Sequence, residues 1–529
     1  MSQGLDMWSV VLLLPVCGLV QGLARLDPLV STSKGLIRGL QFGDGYAKFL
    51  GVPYAVVPEN NPFAPSVPHQ GFDTIFEAYE SNTCPQLSRG VPTGTIDCLT
   101  MDIYVPSVAD SQHRLPVMIW IHGGAFIGGS AQREATEPIS LLKNDVIVVA
   151  INYRLGIYGF MCLDTPEVPG NQGLKDQTLA LRWVQENIAA FGGDVNKITV
   201  FGESAGGMSV NLHLYSLNEK LFNQAVIQSG PALSYWMMVE SNNTIPITVA
   251  RELGFETSDL NEALTFLSTV DPHSLVQIAA ELKLTSASGN DQPLTKPCVE
   301  KTFEGVENFL TEHPMNVQST KARNMPIIIG HCVREFAFQY ANQDEKFFET
   351  YDFKTLFELG FDMDNDLEDA LKTVGLFYFG DEKISKNVSE ELVDFGTDII
   401  FGHPTQRMAE NLLESGAENV YRFVFSYLGA THGAELAYLF DLSSFDATDE
   451  DKQLVKSRLT TLWTNFAKYG NPTPTPSELL PLTWSPITRT AQSYLDMDLD
   501  FTPSSRPDHA RMAFWDLFYK FYGKYQKWY

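Results

Sequence analysis

The amino-acid sequence predicts an α/β fold with a large, mostly parallel central sheet flanked by helices. Short apolar, β-branched runs recur along the 529-residue chain and end in turn residues. Helical patterns separate several of these runs, and strands apolar on both faces are typical of a parallel sheet covered on both sides. Strands are predicted at residues 117–121, 146–151, 198–201, 225–228, 326–329 and 420–425.

The segments between these strands are predicted to be helices and loops of one domain. Residues 172–191 and 205–214 have helical patterns, the acidic stretch 343–398 indicates a helical insertion over one edge, and residues 471–476 form a rigid loop. A prior of roughly 150 residues per domain would give three or four domains. No break in composition marks a second domain, so we expect residues 23–529 to form a single one.

The composition excludes several classes of function. The chain has 37 basic and 64 acidic residues, and its net charge of −27 repels phosphate backbones and anionic membranes. Nucleic acid is therefore not an expected partner. An apolar content of 44% excludes a disordered protein, and a chain this long buries a core without metal or disulfide support. No cofactor or metal is expected.

The N-terminal residues 1–22 are predicted to be a signal peptide. Residues 8–20 form an apolar run of 13, too short to span a bilayer, and small and polar residues follow it. Asp6 is atypical of a signal, and a start at Met7 would remove it, so both starts remain open. A buried N-terminal helix is the alternative. No later apolar run has membrane length, and we expect a secreted protein without a transmembrane segment.

Secretion has consequences for the cysteines and for glycosylation. Removal of the signal takes away Cys17 and leaves five cysteines, so one stays unpaired. Cys84 and Cys98 enclose a turn-rich loop and are the expected disulfide in an oxidising compartment. Asn242 and Asn387 begin glycosylation sequons. The pairing of the remaining cysteines is open: Cys162, Cys298 and Cys332.

The strongest functional signal is the segment Gly202-Glu203-Ser204-Ala205-Gly206. It follows a predicted strand and opens a predicted helix, the context in which this pattern is typical of a nucleophile elbow. Glycines are needed because the strand turns directly into the helix and leaves no room for side chains beside the serine. Ser204 is therefore the candidate nucleophile.

A serine nucleophile needs a base, and the expected chain order is serine, acid, histidine. His432 follows the last predicted strand and is the candidate base among ten histidines. His403 and His509 lie in helical stretches and are interpreted as structural. Glu335 follows the preceding strand and is the candidate acid, expected to orient His432 and stabilise its charged form.

A third motif, His122-Gly123-Gly124-Ala125-Phe126, follows the first predicted strand. Its small residues would let backbone N–H groups approach an oxyanion, joined by the N–H group of the residue after the nucleophile. Aromatic candidates for the walls of the acyl and alcohol pockets, with an ordinary core position as the alternative, are Phe126, Trp236 and Phe336.

Together these motifs resemble the type-B carboxylesterase and cholinesterase family of the α/β-hydrolase fold, which carries helical insertions over its active site. The resemblance runs from about Leu36 to the C-terminus and includes Asn152-Tyr153-Arg154-Leu155-Gly156. It implies an Arg154–Asp176 salt bridge. It also implies a triad of Ser204, Glu335 and His432, oxyanion donors Gly124, Ala125 and Ala205, positions beside the triad at Glu203 and Ser229, and a first disulfide Cys84–Cys98.

Departures from the family pattern narrow the subfamily. The family usually has Arg-Phe where this chain has Pro62-Phe63, and Glu-Asp where it has Ile96-Asp97. The Arg and the Glu pair with each other in relatives, and the loss of both partners together can be neutral for stability. The family's second disulfide is not recognisable in the sequence. The loop 84–98 is shorter than in cholinesterases and lacks the Trp that contacts a quaternary ammonium, so a choline-specific site is not expected.

The resemblance therefore implies two-step hydrolysis of a small-molecule carboxylic ester. In appearance the chain is most similar to secreted insect-type carboxylesterases that degrade odorant or pheromone esters. Juvenile-hormone esterases have Gln at the position of Glu203, which argues against that subfamily. Activity is expected to rise near the ordinary imidazole pKa of roughly 6.5. The alternatives are a catalytically inactive binding or adhesion protein and a sequestering esterase with slow deacylation. Oligomeric state is left open.

Overall fold

The structure is a computed structural model that describes residues 28–43, 45–132, 137–234, 238–285, 294–442 and 445–527. The predicted signal peptide and Trp236 lie outside the described residues. The described β-strands are β1 (Leu29–Thr32), β2 (Gly35–Arg38), β3 (Leu40–Phe42), β4 (Tyr46–Pro53), β5 (Ala55–Val56), β6 (Val67–Pro68), β7 (Phe76–Glu77), β8 (Gln86–Ser88), β9 (Val91–Thr93), β10 (Thr100–Pro106), β11 (Leu115–Ile121), β12 (Ile147–Ile151), β13 (Gly193–Glu203), β14 (Gln224–Gln228), β15 (Pro326–Cys332), β16 (Asn419–Phe425), β17 (Ser493–Met497) and β18 (Phe501–Ser505).

Eleven of these strands form the central sheet, in the order β18-β17-β16-β15-β14-β13-β11-β12-β10-β4-β3. The strands from β12 to β17 pair in parallel, whereas both edges of the sheet pair antiparallel. All six predicted strands lie in the parallel part, which confirms the predicted fold class. The antiparallel edge strands β3, β4 and β10, and the strands β17 and β18, were not predicted.

Helices cover both faces of this sheet. Odd-numbered residues of β11 such as Ile119 belong to a buried cluster with α3 and α4, while Trp120 belongs to the cluster that contains Trp463 of α15. This alternation buries both faces and explains the continuous apolar run of the strand. The described α-helices are α1 (Ile139–Leu142), α2 (Gly156–Phe160), α3 (Gln172–Asn187), α4 (Ala205–Tyr215), α5 (Thr244–Glu252), α6 (Leu260–Leu267), α7 (Pro272–Glu281), α8 (Ala337–Tyr340), α9 (Glu345–Thr350), α10 (Lys354–Gly360), α11 (Leu367–Tyr378), α12 (Ser389–Thr397), α13 (His403–Glu414), α14 (Leu436–Leu439), α15 (Glu450–Tyr469) and α16 (His509–Tyr522).

The predicted insertion at residues 343–398 is helical and has its own apolar core. Helices α9 to α12 contribute side chains such as Phe357 and Phe395, which pack against Trp515 and Phe518 of α16. A π-helical turn, Asp398–Gly402, joins α12 to α13. The insertion therefore packs on α16 and is continuous with α13 through this turn. A single domain over residues 23–529 stays a prediction.

Covalent and ionic links hold the loops near the carboxyl ends of the strands. The expected Cys84–Cys98 disulfide is present, and a second one joins Cys162 to Cys298, a pairing that the sequence had left open. Cys332 is free and buried. The fully buried guanidinium of Arg154 donates two hydrogen bonds to the carboxylate of Asp176, at 2.8 and 2.7 Å, as the family resemblance implied.

Candidate active site

Ser204 occupies the sharp turn between β13 and α4. Its φ of 57° lies in the left-handed region, a conformation that stores roughly 1–3 kcal/mol in a residue other than glycine. A Cβ atom on Gly202 would lie 2.5 Å from the carbonyl carbon of Gly206, and one on Gly206 would lie 2.0 Å from the carbonyl oxygen of Ile121. The two glycines are thus required by the close approach of backbone, as the sequence motif predicted.

Among the three side chains predicted to act together, His432 is within hydrogen-bonding distance of each of the other two. His432 Nε2 lies 2.9 Å from Ser204 Oγ, and His432 Nδ1 lies 2.6 Å from Glu335 Oε2. The residues follow the ends of β13, β15 and β16, which are parallel strands of one sheet. Because the carboxyl ends of such strands lie at the same edge, loops far apart in sequence meet here.

The carboxylate of Glu335 is fully buried and accepts hydrogen bonds on both oxygens. Oε1 accepts from the Cys332 N–H group and from the Ser229 hydroxyl, each at 2.6 Å. Burial raises the pKa of this carboxyl, but the charge and hydrogen bond of His432 outweigh burial, and the pKa lies below its ordinary value. Glu335 is therefore ionised and fixed in orientation.

Glu203 is a second carboxylate beside the histidine. Its Oε1 lies 3.3 Å from His432 Nε2, and its side chain is 4% exposed. Burial lowers the pKa of His432, but the charges of Glu203 and Glu335 act against burial and raise it to about 9. The pKa of the candidate base thus lies above the ordinary value of roughly 6.5 that the sequence suggested.

A third buried carboxyl, Glu435, was missed by sequence reasoning. Its Oε1 accepts a hydrogen bond from Gln228 at 2.9 Å, and its Oε2 lies 3.1 Å from the Cys332 thiol, which donates to it. Burial and the nearby Glu335 raise the pKa of Glu435. Its only sequence signal is its position three residues after His432, which is too weak to single it out.

The glycine loop after β11 lies directly over the turn of Ser204. A Cβ atom on Gly123 would lie 3.0 Å from the Cβ atom of Ser204. The next three residues have φ values of 112°, 55° and 63°, and the first two line the same cavity as the serine: Gly124, Ala125 and Phe126. Ala205 begins α4, so its N–H group has no acceptor within that helix. The predicted oxyanion donors therefore come from two segments that meet at Ser204.

These residues open into a cavity of about 550 Å³. Apolar side chains form much of its wall, and those that sequence analysis missed are Leu87, Ile127, Met208, Phe338, Ile400 and Phe401. Phe126 and Phe336 were predicted as wall candidates, but both are buried core residues and neither is among the described lining residues. Phe126 packs against Phe160, with 4.7 Å between ring centroids, so the core alternative is correct.

Other predicted residues lie outside this cavity. His403 is buried, and its Nε2 lies 3.0 Å from Asp516 Oδ1, which fits the structural role expected of it. His509 begins α16.

Among the described residues, no group of three or more His, Cys, Asp or Glu side chains has an arrangement suited to a metal ion. No described helix is long and apolar enough to cross a membrane.

Comparisons with known proteins agree with this architecture. The model of the carboxylesterase family matches residues 26–515. The chain is 31% identical to human bile salt-activated lipase over 96% of this chain and 72% of that protein, and 31% identical to juvenile hormone esterase of Tribolium castaneum over 84% of each. It is also 30% identical to esterase FE4 of Myzus persicae over 83% of each chain. A solved structure titled PNB esterase superposes with a TM-score of 0.76 at 26% identity, covering 92% of this chain and 99% of that one.

Proposed function

Because the chain belongs to the carboxylesterase family, and is thus a carboxylic-ester hydrolase, we propose that Ser204, His432 and Glu335 are its catalytic triad. The observation that carries the proposal is the unbroken series of hydrogen bonds from Ser204 through His432 to Glu335, at 2.9 and 2.6 Å, at the wall of a cavity. An inactive relative would have no need to keep a strained serine and a buried carboxylate in this arrangement.

Catalysis would proceed in two steps. Ser204 attacks the ester carbonyl while His432 takes its proton, and the oxyanion is held by the N–H groups of Gly124, Ala125 and Ala205. His432 then returns the proton to the departing alcohol, which leaves an acyl group on Ser204. Water, deprotonated by His432, attacks this acyl group, and His432 gives the proton to Ser204 Oγ as the acid is released. Glu335 stabilises the charged imidazole in both steps.

The carboxylates around His432 also determine how kcat/KM is expected to depend on pH. Only neutral His432 can take the proton of Ser204, so a raised pKa shifts the acid limb of the kcat/KM profile to higher pH. Glu203→Gln removes a negative charge 3.3 Å from Nε2, which lowers the pKa of His432. We expect the acid limb to move down by about one pH unit. An acid limb that stays in place in this variant would contradict the assigned influence of Glu203.

Covalent labelling and steady-state turnover test the proposal against both alternatives. A fluorophosphonate probe is expected to label the purified protein at Ser204, and 4-nitrophenyl acetate should be hydrolysed without an end to turnover after one equivalent. A burst of one equivalent followed by no turnover would indicate a sequestering esterase. Absence of both labelling and hydrolysis would indicate a binding or adhesion protein.

We also propose that the protein is secreted and that residues 1–22 are its signal peptide. Two disulfides among the described residues favour an oxidising compartment. The sequon asparagine Asn387 is exposed and Asn242 is half-buried, so both are candidate glycosylation sites. Expression in a secretory cell would test this proposal: protein retained inside the cell with its N-terminus intact would contradict it.

We propose that the substrates are small carboxylic esters, and the candidate classes are odorant, pheromone and xenobiotic esters. A cavity of about 550 Å³ with a largely apolar wall suits a small molecule rather than a polymer. A panel of esters that differ in acyl and alcohol length would define the preferred size. Its most informative result is the length at which kcat/KM begins to fall.

A further inference from the structure

One wall of the cavity is a short β-hairpin inside the Cys84–Cys98 disulfide loop. Strands β8 and β9 pair in the register Ser88 with Val91, which leaves Arg89 and Gly90 as a two-residue turn. Arg89 lines the cavity together with Ser204, and its side chain is exposed. Among the described lining residues it is the only lysine or arginine, and Glu203 is the only carboxylate. The rim of the cavity thus carries a cation, while its deep end carries an anion.

The charge of Arg89 is not neutralised by the described part of the protein. No described carboxylate forms an ion pair with it, although the chain has 64 acidic against 37 basic residues. An exposed arginine that pairs with no described carboxylate, in so acidic a protein, is available for a ligand. Its planar guanidinium has five N–H donors that suit carboxylate and phosphate groups.

The backbone of Arg89 is unusual for its residue type. Its φ is 51° and that of Gly90 is 79°, the signs found in a type I′ turn. This turn prefers Asn, Asp or Gly at both positions, because other side chains are strained at positive φ. An arginine here is therefore unfavourable for folding, and strain of this kind is concentrated at functional sites.

The hairpin is also held rigidly against the glycine loop of the active site. The side-chain amide of Gln86 donates to the carbonyl oxygen of Gly129 at 2.9 Å and accepts from the Gly129 N–H group at 2.8 Å. His273 of α7 lies 2.9 Å from the carbonyl oxygen of Gly94 on the far side of the loop. The backbone that carries Arg89 is thus held in place by hydrogen bonds, which lowers the entropy cost of ligand binding.

From these observations we propose that Arg89 is a specificity-determining residue that selects ester substrates carrying an anionic group, such as a carboxylate, remote from the scissile bond. The inference rests on the proposed function and adds the substrate class. The apolar wall between the rim and Ser204 accommodates the uncharged part of such a substrate, while Glu203 disfavours a second anion at the deep end. A cationic ester is disfavoured at the rim for the same electrostatic reason.

Matched pairs of esters test the proposal. The anionic set is the mono-4-nitrophenyl esters of succinic, adipic and suberic acid, and the neutral set is 4-nitrophenyl butyrate, hexanoate and octanoate. The pair 4-carboxyphenyl acetate and phenyl acetate probes the alcohol side. In Arg89→Gln we expect kcat/KM to fall about tenfold for at least one anionic ester, mainly through KM, with its neutral partner unchanged. Added salt should weaken the preference of the wild type, because exposed charges are screened.

Three further variants serve as controls. Arg251→Gln removes one exposed arginine on α5 and should leave both ester sets unchanged. Arg89→Lys keeps the charge but loses the planar fork, and should retain part of the preference. Arg89→Asn suits the turn and should lose the preference without a fall in Tm, which excludes misfolding as the cause.

The outcomes separate this inference from the proposed function. If Arg89→Gln alters anionic and neutral esters equally, or alters neither, Arg89 does not determine specificity, whereas hydrolysis of the neutral esters still supports the triad. If no ester is hydrolysed, the proposed function fails. Calorimetric binding of the amide analogues of the same pairs then decides the role of Arg89: loss of anion preference in Arg89→Gln supports it, and no difference overturns it.

Discussion

Ser204→Ala is expected to lower kcat for 4-nitrophenyl acetate by roughly 10⁵- to 10⁶-fold. The variant removes only the hydroxyl, because alanine keeps the Cβ atom that the strained turn already accommodates at a φ of 57°. The fold should therefore be unchanged, and Tm should stay close to that of the wild type. The loss is large because only a water molecule can then replace the serine as nucleophile. His432 and the oxyanion donors remain, but this water is not fixed beside the ester carbonyl as the serine is.

A hydroxyl elsewhere provides the matched control. Ser457 is exposed on α15, and its hydroxyl donates to the carbonyl oxygen of Gln453 at 2.8 Å. Ser457→Ala should keep both turnover and fluorophosphonate labelling, whereas Ser204→Ala should lose both. Residual activity of Ser204→Ala within about tenfold of the wild type would show that another residue is the nucleophile.

Glu335→Gln is the second large effect, and we expect kcat to fall by roughly 10³- to 10⁴-fold. In the wild type, Oε1 accepts from the Cys332 N–H group and the Ser229 hydroxyl, while Oε2 accepts from His432 Nδ1. The backbone N–H group cannot become an acceptor, so the amide oxygen of glutamine will take this place. Its NH₂ group then faces Nδ1 and places the histidine proton on Nε2, where it blocks proton transfer from Ser204.

The fall in rate should come from the wrong tautomer and not from a changed charge alone. Glu390→Gln is the matched control, because Glu390 is exposed, pairs with Arg334 beside the triad acid, and loses the same charge. This control should retain the wild-type kcat. A Glu335→Gln enzyme with nearly full activity would show that the buried carboxylate does not orient His432.

Much of the fold and of the site followed from local sequence. The parallel strands were predicted because burial on both faces leaves a short, mostly apolar run, which is clearest in β11 and β12. The elbow of Ser204 was predicted because backbone contacts at Gly202 and Gly206 exclude every side chain, a requirement that leaves its mark within five residues. The strands β3, β4 and β10 were missed because an antiparallel edge has no equally continuous pattern.

Contacts between residues far apart in the sequence could not be predicted from local patterns. Cys162 and Cys298 are 136 residues apart, so no local pattern relates them. Phe336 and Phe338 are both aromatic and only two residues apart, yet the first packs in the core and the second lines the cavity. The sequence shows the residue type in each case, whereas the side that it faces depends on packing with distant elements.

Local sequence was therefore enough to predict the parallel part of the sheet and the elbow of Ser204, since both depend on steric and apolar rules that act over a few residues. Glu335 and His432 were predicted from the expected chain order of a triad and from the family resemblance. The surroundings of that chemistry needed the folded chain: the 3.3 Å contact of Glu203 with His432, the buried carboxyl of Glu435, the wall of the cavity, and the cation of Arg89 at its rim. This is because pKa values and specificity are set by charges and surfaces brought together in space, and loops at one edge of a parallel sheet meet there from segments separated by hundreds of residues.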